Sequence, residues 1–115
     1  RISWVSFPGL EEDKYHALAE KYMPNGTCGV ISFGVPGGRE KVSAFLDHLK
    51  MVSIATHVAD ARSCTLYPAG TTHRQLTEEQ LVEAGVGIDL VRLSCGIENA
   101  DDIITDLDQA LAAVQ

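Results

Sequence analysis

The chain has 115 residues, enough for one domain with a hydrophobic core and short for a two-domain enzyme. Its hydrophobic content of 45% and charged content of 22% are ordinary for a globular domain, and a net charge of −7 with no basic stripe argues against nucleic acid as a partner. The longest apolar-leaning stretch, from Leu49 to Ala59, is interrupted by Lys50 and His57 and is too short to cross a bilayer.

Ile2 to Phe7 reads as a short strand or extended lead-in closed by Pro8-Gly9. Glu11 to Tyr22 carries Tyr15, Leu18, Ala19 and Tyr22 at helical spacing, and Pro24-Asn25-Gly26 is a turn. Cys28 to Val35 is rich in β-branched and aromatic residues, a strand ending at Pro36-Gly37-Gly38. Val42, Phe45, Leu46 and Leu49 mark an amphipathic helix. Short strands are expected over Met51 to Thr56 and Ser63 to Tyr67. Thr77 and Gln80 form a capping box and Gly85 supplies the stop for a short helix. Leu90 to Cys95 is the next strand. Asn99 then caps a last helix, with Asp101 and Asp102 in its first turn and Ile103, Ile104, Leu107, Ala110, Leu111 and Val114 on its buried face.

No repeat or linker divides the sequence, so one domain over residues 1–115 is expected. Its class is α/β, an α+β two-layer sandwich with a mainly antiparallel sheet of about four strands and the helices on one face. The start lacks an initiator Met and begins in a strand, as a piece of a longer polypeptide would, and it lacks the apolar run of a signal peptide. Cys28, Cys64 and Cys95 are few and far apart, and read as reduced core residues of a cytoplasmic protein.

Arg92 is the residue that asks for an explanation, because it sits mid-strand between Val91 and Leu93. A buried guanidinium is costly unless it meets an anion. Two-residue alternation puts Arg92 on one face with Leu90 and Ser94, and turns Val91 and Leu93 to the core. One reading is a bidentate clamp for a substrate carboxylate. The other, which residue type alone favours, is a surface ion pair with Asp89 or Glu98. Asp60-Ala61-Arg62-Ser63 and Thr71-Thr72-His73 gather polar groups at the ends of one strand, as either a substrate-facing rim or turn chemistry. His57, His73, Asp60 and Cys64 lack metal-ligand spacing. Gly34-Val35-Pro36-Gly37-Gly38 lacks the spacing of a phosphate loop and reads as a turn.

Several segments together carry a resemblance. They are Phe7-Pro8-Gly9-Leu10, Ser32-Phe33-Gly34-Val35 with Gly37-Gly38, and Asp60-Ala61-Arg62-Ser63. Tyr67-Pro68-Ala69-Gly70-Thr71-Thr72-His73, Gln75-Leu76-Thr77-Glu78-Glu79-Gln80 and Val91-Arg92-Leu93-Ser94-Cys95-Gly96-Ile97-Glu98 follow. Asp101 to Leu111 closes the series. In this order they resemble the C-terminal small domain of the Cys/Met-metabolism family of pyridoxal-phosphate enzymes, nearest to its O-acetylhomoserine sulfhydrylase branch.

The resemblance implies the small domain of a fold-type I enzyme whose large domain, with the cofactor and its Ser-x-Thr-Lys lysine, lies elsewhere in the polypeptide. It implies no pyridoxal phosphate bound to this chain and no activity from it alone. The full-length enzyme would be a cytoplasmic homotetramer acting on an O-acyl homoserine. Arg92 matches the family's carboxylate-binding arginine, and Thr72 matches a residue near the substrate. His57 falls where sulfhydrylases tend to have Asn and lyases Ser, a departure that bears on the substrate pocket. A free-standing α/β module binding an amino acid or a protein is the alternative.

Overall fold

A computed structural model describes residues 1–115. The strands are β1 (Val5–Ser6), β2 (Val30–Gly34), β3 (Ser53–Ile54), β4 (Cys64–Leu66) and β5 (Leu90–Ser94), and the helices are α1 (His16–Tyr22), α2 (Gly38–Asp47), α3 (Glu78–Glu83) and α4 (Ala100–Ala113). They form one five-stranded sheet in the order β1-β2-β5-β4-β3. Three neighbouring pairs are antiparallel and β3 with β4 is parallel, so the sheet has one more strand than expected and one parallel edge.

Alternation along β5 decides the layers. Val91 and Leu93 are buried, and join Phe33 of β2 in a single core with Val42, Phe45 and Leu46 of α2, Leu81 of α3, and Ile103 and Ala110 of α4. Phe33 and Phe45 meet edge to face with centroids 6.0 Å apart. The opposite sheet face carries Ser32 of β2, Arg92 of β5 and Leu66 of β4 in one cross-strand row, with Val30, Ser94 and Cys64 in the next.

The helix ends follow local chemistry. Thr77 Oγ1 accepts from the Gln80 N–H while the Gln80 side chain accepts from the Thr77 N–H, and Gly85 takes the left-handed turn at φ +72°. Asn99 Oδ1 accepts from the Asp101 N–H at 2.8 Å.

Four expectations are corrected. Helix α1 starts at His16 and not at Glu11, because Asp13 folds the preceding residues into turns: its carboxylate accepts from the Tyr15 N–H at 2.9 Å and from the Phe7 N–H at 3.0 Å. Of the predicted face of α1 only Ala19 is buried, and Tyr15, Leu18 and Tyr22 are exposed. On α4, Ile104 is 61% exposed and Asp106 lies on the buried side instead. Cys28 is exposed, so of the three cysteines only Cys64 is a fully buried residue and Cys95 is half-buried.

Candidate functional site

Arg92 sits at the centre of the polar row on the sheet face away from the core, flanked across the strands by Ser32 and Leu66. Its Nη2 donates to the carbonyl oxygen of Thr56 at 2.9 Å. Its Nε is buried and has no partner. The expected ion pair is overturned: neither Asp89 nor Glu98 faces the guanidinium. Asp89 accepts from Trp4 Nε1 at 2.9 Å and Ser3 Oγ at 3.0 Å, and Glu98 accepts from Ser63. No other hydrogen bond leaves the guanidinium, so the planar fork keeps unpaired donors and a full positive charge on a partly desolvated face.

The segment from Ala55 to Arg62 crosses this face as a strap between β3 and β4. It starts beside β4, where the Ala55 N–H donates to the Thr65 carbonyl. It then presents the Thr56 carbonyl to Arg92 and the exposed side chain of His57 to solvent. The Ala59 N–H donates to Ser94 Oγ at 3.3 Å, which places the strap over the next outward residue of β5 after Arg92. Ala59 adopts φ +58°, the left-handed region that a Cβ disfavours. Asp60 Oδ1 accepts from the Arg62 N–H at 2.9 Å, and that backbone hydrogen bond holds its carboxyl below the usual carboxylate range. Arg92 and His57 are thus brought onto one stretch of surface, joined through the Thr56 carbonyl. Thr72 lies past the 3₁₀ turn Pro68–Gly70, exposed, with its hydroxyl 2.8 Å from His73 Nδ1, and no hydrogen bond joins it to Arg92 or the strap.

The rim of Asp60, Arg62, Ser63, Thr71 and His73 divides in two. Asp60 and Thr71 serve turns, the latter donating to the Tyr67 carbonyl, while Ser63 reaches a carboxylate 35 positions away. Ser94 and Glu98 were not separable from ordinary strand-end polarity in the sequence; the only signal was a polar residue alternating with Arg92. Three of the four lysines are engaged elsewhere. Lys14 and Lys21 lie over the rings of Tyr15 and Tyr22, and Lys41 donates to the Val114 carbonyl.

A small α/β domain that presents an unpaired arginine from its sheet defines the class. The comparisons give the family. A profile described as Cys/Met metabolism PLP-dependent enzyme matches residues 1–112. The chain is 46% identical over 112 residues to O-acetyl-L-homoserine sulfhydrylase of Leptospira meyeri, covering 96% of the chain and 25% of that protein. Among solved structures, an O-acetylhomoserine (thiol)-lyase of Campylobacter jejuni containing a pyridoxyl-lysine phosphate superposes with a TM-score of 0.86 and 38% identity, over 96% of this chain and 26% of that one. Cystathionine γ-synthase of Xanthomonas oryzae, in complex with aminoacrylate and cysteine, gives 0.88 and 36%, over 98% and 29%. The chain belongs to the Cys/Met-metabolism family of pyridoxal-phosphate-dependent enzymes. It spans about a quarter of the length of the curated relatives it matches.

Proposed function

We propose that this chain is the substrate-facing small domain of a pyridoxal-phosphate enzyme that replaces the γ-acetoxy group of an O-acyl homoserine by sulfide or a thiol, and that Arg92 binds the amino acid's α-carboxylate. The observation that carries the reading is the orphaned guanidinium: Nε is buried without a partner, and no carboxylate of the chain meets it. A structural arginine removed from water has its donors matched by the protein. A ligand-binding one waits for an anion of planar, two-oxygen shape.

The fit is to the substrate and not to the cofactor. Pyridoxal phosphate, when bound, supplies the electron sink for the reaction. This chain's part is positional. The Thr56 carbonyl fixes one edge of the guanidinium, and β5 supplies a rigid base, so the carboxylate is held in one orientation. By the family resemblance we assign His57, on the same strap, and Thr72 to the substrate side of the site, with His57 bearing on which acyl group or sulfur donor is accepted. The chain alone is expected to be inactive. The full-length enzyme is expected to be a cytoplasmic homotetramer that places this domain against a larger cofactor domain. No helix here is long and apolar enough to cross a membrane.

Arg92→Lys in the full-length enzyme tests the assignment. It keeps the charge and loses the fork, and is expected to lower kcat/KM roughly a hundredfold, the loss of about 2–3 kcal/mol from a charge-assisted pair. The melting temperature should hold. Near-normal kinetics with a lowered melting temperature would overturn the reading.

A further inference from the structure

We propose that Glu98 is a positioning residue for substrate-carboxylate recognition: through Ser63 it latches the 55–62 strap to the end of β5, and the latched strap sets the Thr56 carbonyl that aims Arg92. The proposal rests on the carboxylate reading of Arg92 and extends it to residues that touch no substrate.

The latch consists of five hydrogen bonds among six residues. Glu98 Oε1 accepts from the Ser63 N–H at 2.7 Å, and Oε2 accepts from Ser63 Oγ at 2.8 Å. Ser63 Oγ accepts in turn from the Gly96 N–H at 2.9 Å, and the Ile97 N–H donates to the Ala61 carbonyl at 2.9 Å. On the other side the Ser53 N–H donates to the Ser63 carbonyl at 3.0 Å, which ties the same residue to β3. Ser63 is wholly buried, so its N–H and its hydroxyl hydrogen would both lose their acceptors if Glu98 were absent. The chains approach so closely here that a Cβ on Gly96 would overlap the Ala61 carbonyl oxygen and come within 2.5 Å of the Arg62 backbone and Glu98 Oε2. The Ser63 N–H also holds the Glu98 carboxyl below its usual range, so it stays an acceptor across the neutral and mildly acidic range.

The latch acts on Arg92 because the strap has few other anchors. Between Thr56 and Ala61 its hydrogen bonds to β5 are the Thr56 carbonyl on Arg92 and the Ala59 N–H on Ser94. Its middle carries the left-handed Ala59, a conformation that persists only while both ends are held. Release of the Ser63 end lets Ala59 relax and moves the one oxygen that fixes the guanidinium.

The experiment compares two ligands of the cofactor-loaded full-length enzyme by titration calorimetry: an unreactive L-amino acid, L-2-aminobutyrate, and the amine that lacks its carboxylate, propylamine. Glu98→Gln keeps the shape of the side chain but offers Ser63 one acceptor in place of two. It is expected to weaken L-2-aminobutyrate roughly tenfold, the scale of a lost supporting hydrogen bond, and leave propylamine within about twofold. Faster hydrogen exchange at Ala59 and Ser63 should accompany it. Ser63→Ala, which removes the hydroxyl from the other side, is expected to do the same and to add little to Glu98→Gln in the double variant. Arg92→Lys is run alongside. If it discriminates between the ligands while both latch variants weaken them equally or not at all, the latch is overturned and the carboxylate reading stands. If Arg92→Lys itself fails to discriminate, the carboxylate reading falls and the latch falls with it.

Discussion

Asp106 and Arg92 are both charged side chains with polar atoms out of reach of water, and the protein treats them in opposite ways. Asp106, 5% exposed on the inner side of α4, accepts from the backbone N–H groups of Lys50 at 2.9 Å, Met51 at 2.9 Å and Val52 at 2.8 Å, with Gln109 Nε2 at 3.0 Å as a fourth donor. Burial pushes its carboxyl up, and the three backbone N–H donors with the Gln109 side chain together outweigh that and leave it below the usual range. Arg92 has one backbone carbonyl, an orphaned Nε and no counter-ion. A charge that serves the fold meets a complete set of partners from its own chain. A charge kept for a ligand leaves donors unmatched, and the fold tolerates the imbalance.

The largest effect should come from emptying the matched site. Asp106→Ala strands three backbone donors and breaks the tie between α4 and the segment after α2. It should destabilise the chain by roughly 3 kcal/mol, the cost of several unsatisfied buried groups, seen as a fall in urea midpoint. A loss below about 1 kcal/mol would break the comparison, since Asp106 would then be as dispensable to the fold as Arg92.

The same site should show itself in acid. A carboxyl lowered in the folded state adds stability above its unfolded value, near 3.8, and that stability is lost as pH falls through the folded value. The wild-type chain should therefore lose stability steeply below that point. Asp106→Asn, which cannot ionise, should start lower at neutral pH and fall less steeply over that window.

Asn99 gives an intermediate case, a side chain that satisfies a single exposed donor. Asn99→Ala should cost about 1 kcal/mol, as should Thr77→Ala, which breaks the capping box of α3. The smallest change in stability is expected at the unmatched charge. Arg92→Leu loses one hydrogen bond but removes a partly desolvated guanidinium that has no counter-ion, and should move the unfolding free energy by less than about 1 kcal/mol in either direction. A larger loss, measured by the same urea titration, would assign Arg92 to the fold.

Much of the architecture was legible because it depends on residues within a few positions of one another. The alternation of Leu90, Val91, Arg92, Leu93 and Ser94 named the outward and inward faces correctly, and the caps at Thr77, Gly85 and Asn99 follow from side chains that reach only their own helix. Helix α1 was overextended because Glu11 to Tyr15 has helical spacing, while Asp13 finds Phe7, a partner in a preceding turn, which periodicity does not register. The apolarity of Ile104 points it to the buried face of α4, while Asp106, an aspartate on a helix with several others, carries no local sign of burial.

The sequence by itself therefore determined most of the elements, the two faces of β5 and the family, since strand alternation, capping and short motifs are properties of neighbouring residues. Only the tertiary structure decided which charges are matched. The Asp106 nest joins residues 54 to 56 positions apart and the Glu98–Ser63 latch joins residues 35 apart. Hydrogen bonds across such separations leave no period in the chain. The same holds for the absence of a partner at Arg92, since Asp89 and Glu98 lie close to it in sequence and are drawn away by Trp4, Ser3 and Ser63, which the fold brings in from elsewhere.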